Sequence, residues 1–201
     1  MAADARKDDN LEFTNTNTWD TRQLVTMALM CAIAALLSFA QIPLPFVPPF
    51  LTYDPSLMPA MVCGFAFGPG AGIAVGAIAA VIHGLILGEW VGSLMNIVAT
   101  LCFVWPAAAI YRRSRTFRSG VVGLIVGVLA ATAGAVVSNL TIGVAFWYGS
   151  VDVILPMLLP AILPFNLVKG IANAVLTLIV YKAVSNLITP KKAQVKGRRG
   201  A

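Results

Sequence analysis

The apolar segment 164–181 carries a stripe of polar side chains that could bind a small molecule inside a membrane. Positions three, four, seven and eleven residues apart share one face of an α-helix. The stripe consists of Asn166, Lys169, Gly170, Asn173 and Thr177. A lysine near the centre of a bilayer costs about 2.5–3.5 kcal/mol on insertion scales. Lys169 therefore indicates a functional site, in which its amine would donate hydrogen bonds to an acceptor.

An alternative interpretation is that Lys169 only snorkels to the interface, because it lies about one turn beyond Pro164. The two asparagines on the same face argue against a lipid-facing stripe. Two further amides, Asn96 and Asn139, lie in other apolar segments. Because amides both donate and accept, these residues fit the planar edge of a neutral heteroaromatic ligand. An ion channel would instead need rings of charge or of carbonyl groups.

The composition of the 201 residues is that of a polytopic membrane protein. Hydrophobic residues make up 59% and charged residues 11%, and the mean hydropathy is +0.85. A soluble domain would carry about 25% charged residues. The apolar runs predict an all-α integral membrane protein with six transmembrane helices. The predicted ranges are about 24–42, 57–67 (a short segment), 70–88, 92–111, 120–147 and 164–187.

The chain is predicted to have three parts: a flexible cytoplasmic tail over 1–21, a membrane domain over 22–187 and a basic cytoplasmic tail over 188–201. The first apolar run is long for a signal sequence and follows an acidic tail, so we interpret it as a retained span. A proline-rich loop follows it at 43–55, and regularly spaced prolines over 156–164 predict a re-entrant or interfacial piece.

Small residues recur every four positions in the third and fifth spans, which is typical of helices that pack closely. These ridges are Gly72, Gly76, Ala80, Gly84 and Gly88, then Gly123, Gly127, Ala131 and Ala135. The three cysteines lie in apolar runs without the spacing of a metal site, so they are predicted to fill the core.

Charge is distributed unevenly between the predicted loops. With six spans both termini lie on one side, and every Lys and Arg except Lys169 falls on that side. The basic segments are 1–22, 112–118 and 182–199. The opposite loops hold no basic residue but three acids, Asp54, Glu89 and Asp152. The positive-inside rule therefore predicts that both termini are cytoplasmic. The net charge of +6 reflects topology and anionic lipid rather than nucleic acid.

Motifs for energy conversion and catalysis are absent from the sequence. There is no G-x-x-x-x-G-K-[ST] loop, no H-E-x-x-H and no G-x-S-x-G. No acid lies in a predicted span to serve ion coupling. His83 and Glu89 could form the acid–base pair of an intramembrane enzyme, but about 600° of helix rotation would separate them. We interpret His83 as an interior residue, and we expect a binding subunit that receives energy from partners.

Two stretches of sequence carry a family resemblance. The first runs Pro43-Leu-Pro-Phe-Val-Pro-Pro-Phe-Leu-Thr-Tyr-Asp54 and continues through Met58-Pro-Ala-Met61 and Gly64-Phe-Ala-Phe-Gly-Pro69. The second is Leu163-Pro-Phe-Asn-Leu-Val-Lys-Gly170. Over about 22–187 the chain resembles the substrate-binding S components of energy-coupling factor (ECF) vitamin importers, closest to the riboflavin-specific branch. The resemblance implies a multi-pass protein of a bacterial plasma membrane.

The resemblance also implies roles for individual residues. Asn166 and Lys169 would contact a flavin, together with Asn139 of the fifth helix. The first external loop, near Phe50 and Leu51, would close over the ligand. Replacing Lys169 with Ala is then expected to weaken riboflavin binding by about 1–3 kcal/mol. Riboflavin would be the transported ligand, so no cofactor, metal or catalytic residue is expected.

Partners follow from the same resemblance. An Ala-x-x-x-Ala face on the first helix, matched here by Ala28 and Ala32, would meet a transmembrane T component. Two ATPase subunits would supply energy, and import would proceed by toppling of the whole S component.

One position departs from the riboflavin branch. Its third helix usually carries a Lys-Asn pair, whereas this chain has Ala79-Ala80 with His83 nearby. An S component for a different vitamin, such as pantothenate or cobalamin, is therefore an alternative hypothesis. A second alternative is a non-transport membrane protein whose small-residue ridges serve packing alone. It predicts that Asn166→Ala and Lys169→Ala leave every ligand assay unchanged.

Overall fold

The computed structural model describes residues 19–45, 47–48 and 51–188, with only the backbone described for 182–188. The two predicted tails lie almost wholly outside the described residues, and Phe50 lies outside them too. The elements, in chain order, are α1 (Thr21–Ser38), β1 (Ile42–Pro43), β2 (Thr52–Tyr53), α2 (Leu57–Phe67), α3 (Pro69–Leu87), α4 (Trp90–Ser114), α5 (Phe117–Ser138), a π-helical extension of α5 (Asn139–Tyr148), α6 (Val151–Met157), a π-helical turn (Leu158–Ile162) and α7 (Leu163–Ile188).

The predicted all-α class is confirmed, because the strands form only a two-residue hairpin in which Ile42 pairs with Tyr53. Within the described residues, five helical stretches are long and apolar enough to cross a bilayer. They are Thr21–Ser38, Pro69–Leu87, Trp90–Ser114, Phe117–Tyr148 and Val151–Tyr181. Five of the six predicted spans are therefore found, and the chain is a multi-pass membrane protein.

The sixth predicted span, α2, is too short to meet that criterion. Its 11 residues rise about 16 Å, roughly half the hydrocarbon core of a bilayer. The helix is apolar on every side, and Ala60, Met61 and Val62 are completely buried. Such a pattern is typical of a helix enclosed by others, and α2 contacts α1, α3, α4 and α7.

The predicted small-residue ridges do bring helices together. A Cβ atom on Gly72 of α3 would lie 2.5 Å from the Ala60 carbonyl oxygen of α2. A Cβ atom on Gly123 of α5 would lie 2.6 Å from the Ala107 carbonyl oxygen of α4. Only glycine permits these approaches, so the ridges determine how closely the helices pack.

Two predicted boundaries differ from the structure. The first span was predicted to reach Ile42, but α1 ends at Ser38, because the Phe39 and Ala40 amides bond to carbonyl groups three residues back and close the helix. The proline-spaced segment before Pro164 is helical and runs into α7. The π-helical turn within it contains Pro160, which lacks an amide donor, and the wider turn accommodates it.

Contacts between helix ends define two ends of the bundle. At the end that we call the basic end, the ring of Phe65 (α2) stacks on Tyr111 (α4) at 4.5 Å, and the Tyr111 and Tyr181 (α7) hydroxyls lie 3.0 Å apart. The start of α5 and the starts of α1 and α3 lie at this end as well. Among the described residues its exposed cations are Arg22, Arg112, Arg113, Arg115 and Arg118.

The opposite end, which we call the loop end, carries the loop 39–56. There Ser38 at the end of α1 contacts His83 near the end of α3. The start of α7 contacts Asp54 of the loop. Successive helices α1 to α5 and then α7 therefore alternate in direction between the two ends.

Candidate functional site

A cavity of about 190 Å³ opens at the loop end, between the loop 39–56 and helices α3, α4, α5 and α7. Polar groups from all of these elements face it, including Thr52, Asp54, His83, Glu89, Asn96, Asn139, Asn166 and Lys169. A second groove, about 290 Å³, lies between α5 and α7, but only aliphatic side chains line it. Polar recognition is therefore possible in the first cavity, which is the candidate site.

Two of the lining asparagines, Asn139 and Asn166, have the same local geometry. The Nδ2 group of each donates to a carbonyl oxygen one turn back, Ala135 O for Asn139 and Ile162 O for Asn166, both at 2.8 Å. A carbonyl oxygen can only accept, so this bond orients the amide. Each Oδ1 atom has no hydrogen-bond partner among the described residues. The two helices thus present two free acceptors in one cavity.

Lys169 does not offer a free cation to the cavity. Its Nζ atom lies 2.6 Å from Oδ2 of Asp54, and the two side chains are only 15% and 11% exposed. The sequence analysis placed Asp54 in an external loop and did not pair it with Lys169. The sequence did contain a signal for this pairing. A lysine in a membrane helix needs an anion nearby, and the predicted loops opposite the basic segments hold only three acids.

The Asp54 carboxylate is further bonded inside its own loop. Its Oδ1 atom accepts from the Ser56 amide at 3.1 Å and from the Ser56 hydroxyl. Burial disfavours the charged carboxylate, but the charge of Lys169 and the hydrogen bonds from Lys169 and Ser56 outweigh it, and they hold the pKa of Asp54 below its ordinary value. The Asp54 carboxylate is therefore ionised, and together with the Lys169 ammonium it forms a pair that carries no net charge of its own.

Asn173 has a position different from the other predicted site residues. It is completely buried and does not line the cavity. Its Nδ2 group donates to the backbone carbonyls of Asp54, at 3.2 Å, and of Lys169, at 3.0 Å. Thr177, the last residue of the stripe, donates to Asn173 O and is also buried. The last two residues of the stripe, Asn173 and Thr177, thus support the site from behind the cavity wall.

The structure brings five of the seven predicted binding residues to the cavity. These are Asn96, Asn139, Asn166, Lys169 and Leu51. Asn173 lies behind it, and Phe50 lies outside the described residues. The contribution of each residue to ligand binding stays a prediction.

Comparison with known proteins identifies the family. The family model of the ECF transporter substrate-specific component matches residues 22–181. The chain belongs to this family. The predicted resemblance is therefore confirmed, and this substrate-specific component is part of a transporter and not an enzyme.

Individual relatives agree with the family. This substrate-specific component is 31% identical over 179 residues to "Riboflavin transporter RibU" of Staphylococcus aureus (strain TCH60), covering 86% of this chain and 95% of the relative. It is 29% identical to "Riboflavin transporter FmnP" of Bacillus subtilis (strain 168), covering 80% and 90%. A solved structure, "Structure and mechanism of the S component of a bacterial ECF transporter", matches with a TM-score of 0.73 and 31% identity, covering 84% and 98%.

The third helix of this substrate-specific component contributes His83 to the cavity wall, and the Ala79-Ala80 pair does not reach the cavity. Both alanines are 2% exposed and neither lines the cavity. His83 lines it, with Nδ1 2.9 Å from Ser38 Oγ and its ring stacked on Phe39 at 5.1 Å. The Ser38 hydroxyl donates to Ala35 O, so its oxygen accepts from His83 Nδ1.

The prediction that His83 and Glu89 face different directions is wrong, since both line the cavity. The helical rotation argument fails because α3 ends at Leu87 and Gly88 turns the chain with a φ of +73°. Family membership, and not geometry, excludes the enzymatic alternative.

Aromatic lining residues were missed by the sequence analysis. Trp147 and Tyr148 close one side of the cavity from the π-helical extension, and their rings meet edge to face at 6.3 Å. Their position after a long apolar run was interpreted only as the end of a span. An aromatic pair on the predicted external side is the signal that could have found them.

The Ala28–Ala32 face predicted to meet a transmembrane partner lies on α1, away from the cavity. Both alanines are exposed, as are the neighbouring Leu29 and Leu36. Its role in assembly stays a prediction.

Proposed function

We propose that this substrate-specific component captures riboflavin, or a closely related flavin, from outside the cell for ATP-driven uptake by partner subunits. The observation that carries the proposal is the cavity at the loop end, in which amide oxygens, a neutralised Lys–Asp pair and aromatic rings converge. Relatives that bear the name riboflavin transporter match over most of this chain, which supports the same substrate here.

The chemistry of the cavity suits a flavin. A flavin ring is planar and offers an imide with one donor between two acceptors, and its ribityl chain offers hydroxyl donors. The free Oδ1 atoms of Asn139 and Asn166 can accept from such donors, and Asn96 can do both. The exposed ring of Trp147 and the half-buried ring of Tyr148 can cover a flat, apolar face. The ion pair adds polarity without a net charge, which suits a neutral ligand.

We propose six membrane crossings with both termini in the cytoplasm, within the plasma membrane of a bacterium. The alternation of helix directions supports this, because α2 connects the loop end to the basic end in spite of its length. The segregation of charge supports the orientation: five exposed arginines of the described residues lie at the basic end, and positive residues favour the cytoplasm. The membrane domain would comprise 22–187, and the cavity would open outward.

We further propose that an ECF T component docks on the Ala28–Ala32 face and that two ATPase subunits complete the transporter. Family membership supports an assembly of this kind. The exposure of both alanines on a membrane-spanning helix supports the place of contact, since small residues allow another helix to approach closely.

Purification without added ligand tests the substrate. We expect a flavin absorption band in the purified protein, or saturable quenching of riboflavin fluorescence at one site per chain. Asn166→Ala should weaken the binding, while Ile171→Ala, an exposed position on the same helix, should not. A protein that ignores riboflavin but binds another vitamin would overturn the flavin assignment.

A further inference from the structure

Asp54 is the residue through which the loop 39–56 is fixed to α7. Its Oδ2 atom pairs with Lys169 Nζ at 2.6 Å, and its backbone carbonyl accepts from Asn173 Nδ2 at 3.2 Å. Ser56 bonds to the remaining carboxylate oxygen. Two side chains of one helix thus hold one loop residue from 115 and 119 positions away in sequence.

The anchored part of the loop forms one wall of the cavity. Leu51, Thr52 and Asp54 all line it, and the hairpin pairs Thr52 with Pro43. The contacts of Asp54 with Lys169 and Asn173 therefore also hold this wall in place. The described loop has no other side-chain hydrogen bond to α7.

We propose that Asp54 is a positioning residue, which holds the loop segment 51–54 over the cavity by its ion pair with Lys169. Lys169 then retains the ligand mainly through this anchor and not as a free donor, and Asn173 belongs to the anchor and not to the ligand contacts. This inference rests on the proposed function, since retention of a flavin is the property that it explains.

Energetic coupling is the signature of this arrangement. Removal of either partner leaves a buried charge without its counter-ion, whereas removal of both leaves none. Two residues that act through one contact give non-additive effects, and two residues that contact a ligand separately give additive ones. The two roles of Lys169 can therefore be distinguished by a double-mutant cycle.

The experiment uses the full chain in detergent and stopped-flow quenching of riboflavin fluorescence. For Asp54→Asn and for Lys169→Met we expect the dissociation rate to rise about tenfold, with little change in the association rate, because an anchor acts after the ligand has entered. The double variant should dissociate no faster than the faster single variant. Asp152→Asn removes an exposed acid at the same end of the bundle and should leave the rates unchanged.

Additive effects of the two substitutions, or an unchanged dissociation rate in Asp54→Asn, would overturn the inference while leaving riboflavin binding intact. Lack of quenching in the unmodified protein would instead overturn the proposed function. If Asp54→Asn does not fold, Ser56→Ala keeps both charges and weakens the anchor. It should raise the dissociation rate about twofold to tenfold, the loss expected for one exchanged hydrogen bond, and an unchanged rate would contradict the anchor.

Discussion

The cavity asparagines, Asn139 and Asn166, are oriented by their own helices before any ligand arrives. A carbonyl oxygen one turn back holds each Nδ2 group, so the acceptor end of the amide faces the cavity. Because this orientation exists beforehand, a ligand with donor groups does not have to order the side chains. The same two amides would be costly if they faced lipid, because their free oxygens would have no hydrogen-bond partner there.

We therefore expect Asn166→Leu to weaken riboflavin binding by about 1–3 kcal/mol, since a ligand donor would lose its acceptor in a buried place. Equilibrium fluorescence titration measures the change. Ile171→Ala on the exposed face of the same helix is the control. An affinity equal to that of the unmodified protein would contradict a direct contact between Asn166 and the ligand.

A second prediction concerns pH. The pKa of Asp54 is lowered in the folded protein, so the stabilisation by its ion pair is complete above the ordinary carboxyl pKa of about 3.9 and is lost as pH falls through the lower folded value. The reference is Asp54→Asn/Lys169→Met, which carries neither charge. The difference in Tm between the two proteins should be constant from about pH 5 to 8 and should change below about pH 4.

Burial acts in the opposite direction on the same carboxyl group. If it outweighed the charge of Lys169, the pKa of Asp54 would be raised and the Tm difference would already change above the ordinary carboxyl pKa of about 3.9, which would contradict the lowered pKa.

The sequence identified the polar residues of α7 but not their partner. Lys169 and Asn166 are conspicuous because apolar surroundings make polar groups expensive. The pairing with Asp54 depends on how a loop folds back over a helix 115 residues away, and helical periodicity carries no information about that. For the same reason Asn173 was predicted to contact a ligand, although it bonds to the loop backbone.

At the scale of elements, the π-helical extension of α5 positions the aromatic side of the cavity. Hydropathy predicted a span over 120–147, which agrees with α5 and its extension, but it cannot distinguish an α-helix from a π-helix. Asn139 lies at the junction and Tyr148 at the far end. Wider helical turns of this kind are frequent at functional sites.

Gly143 sets the position of Tyr148 in this extension. A Cβ atom on Gly143 would lie 3.0 Å from the Tyr148 ring, so Gly143→Val should push the ring from its place at the cavity. We expect weaker riboflavin binding in a fluorescence titration, and the overpacking itself should cost about 1–3 kcal/mol of folding stability. Ala145→Val, at an exposed position of the same extension, should bind normally. Equal affinities for the two variants would rule out a role of the ring position.

For the whole molecule, the proposal of six crossings requires that α2, a helix of 11 residues, counts as one of them. Every neighbour of α2 is a longer helix, so its ends are enclosed by protein and need not reach the lipid surface. In this proposal the described part of the loop 39–56 fills the remaining depth at the loop end, where Leu51, Thr52 and Asp54 border the cavity. Irregular backbone is tolerated at membrane depth only in such protected places.

Cysteine labelling distinguishes six crossings from five. If α2 crosses, Ala40 and Val151 lie on the same side of the membrane, and if it does not, they lie on opposite sides. We expect that Ala40→Cys and Val151→Cys, in a chain without its three native cysteines, both react with an impermeant maleimide on intact cells. Ser114→Cys at the basic end should react only after permeabilisation, because positive residues favour the cytoplasm. Labelling of only one of the first two would show five crossings, and labelling of Ser114→Cys on intact cells would reverse the orientation.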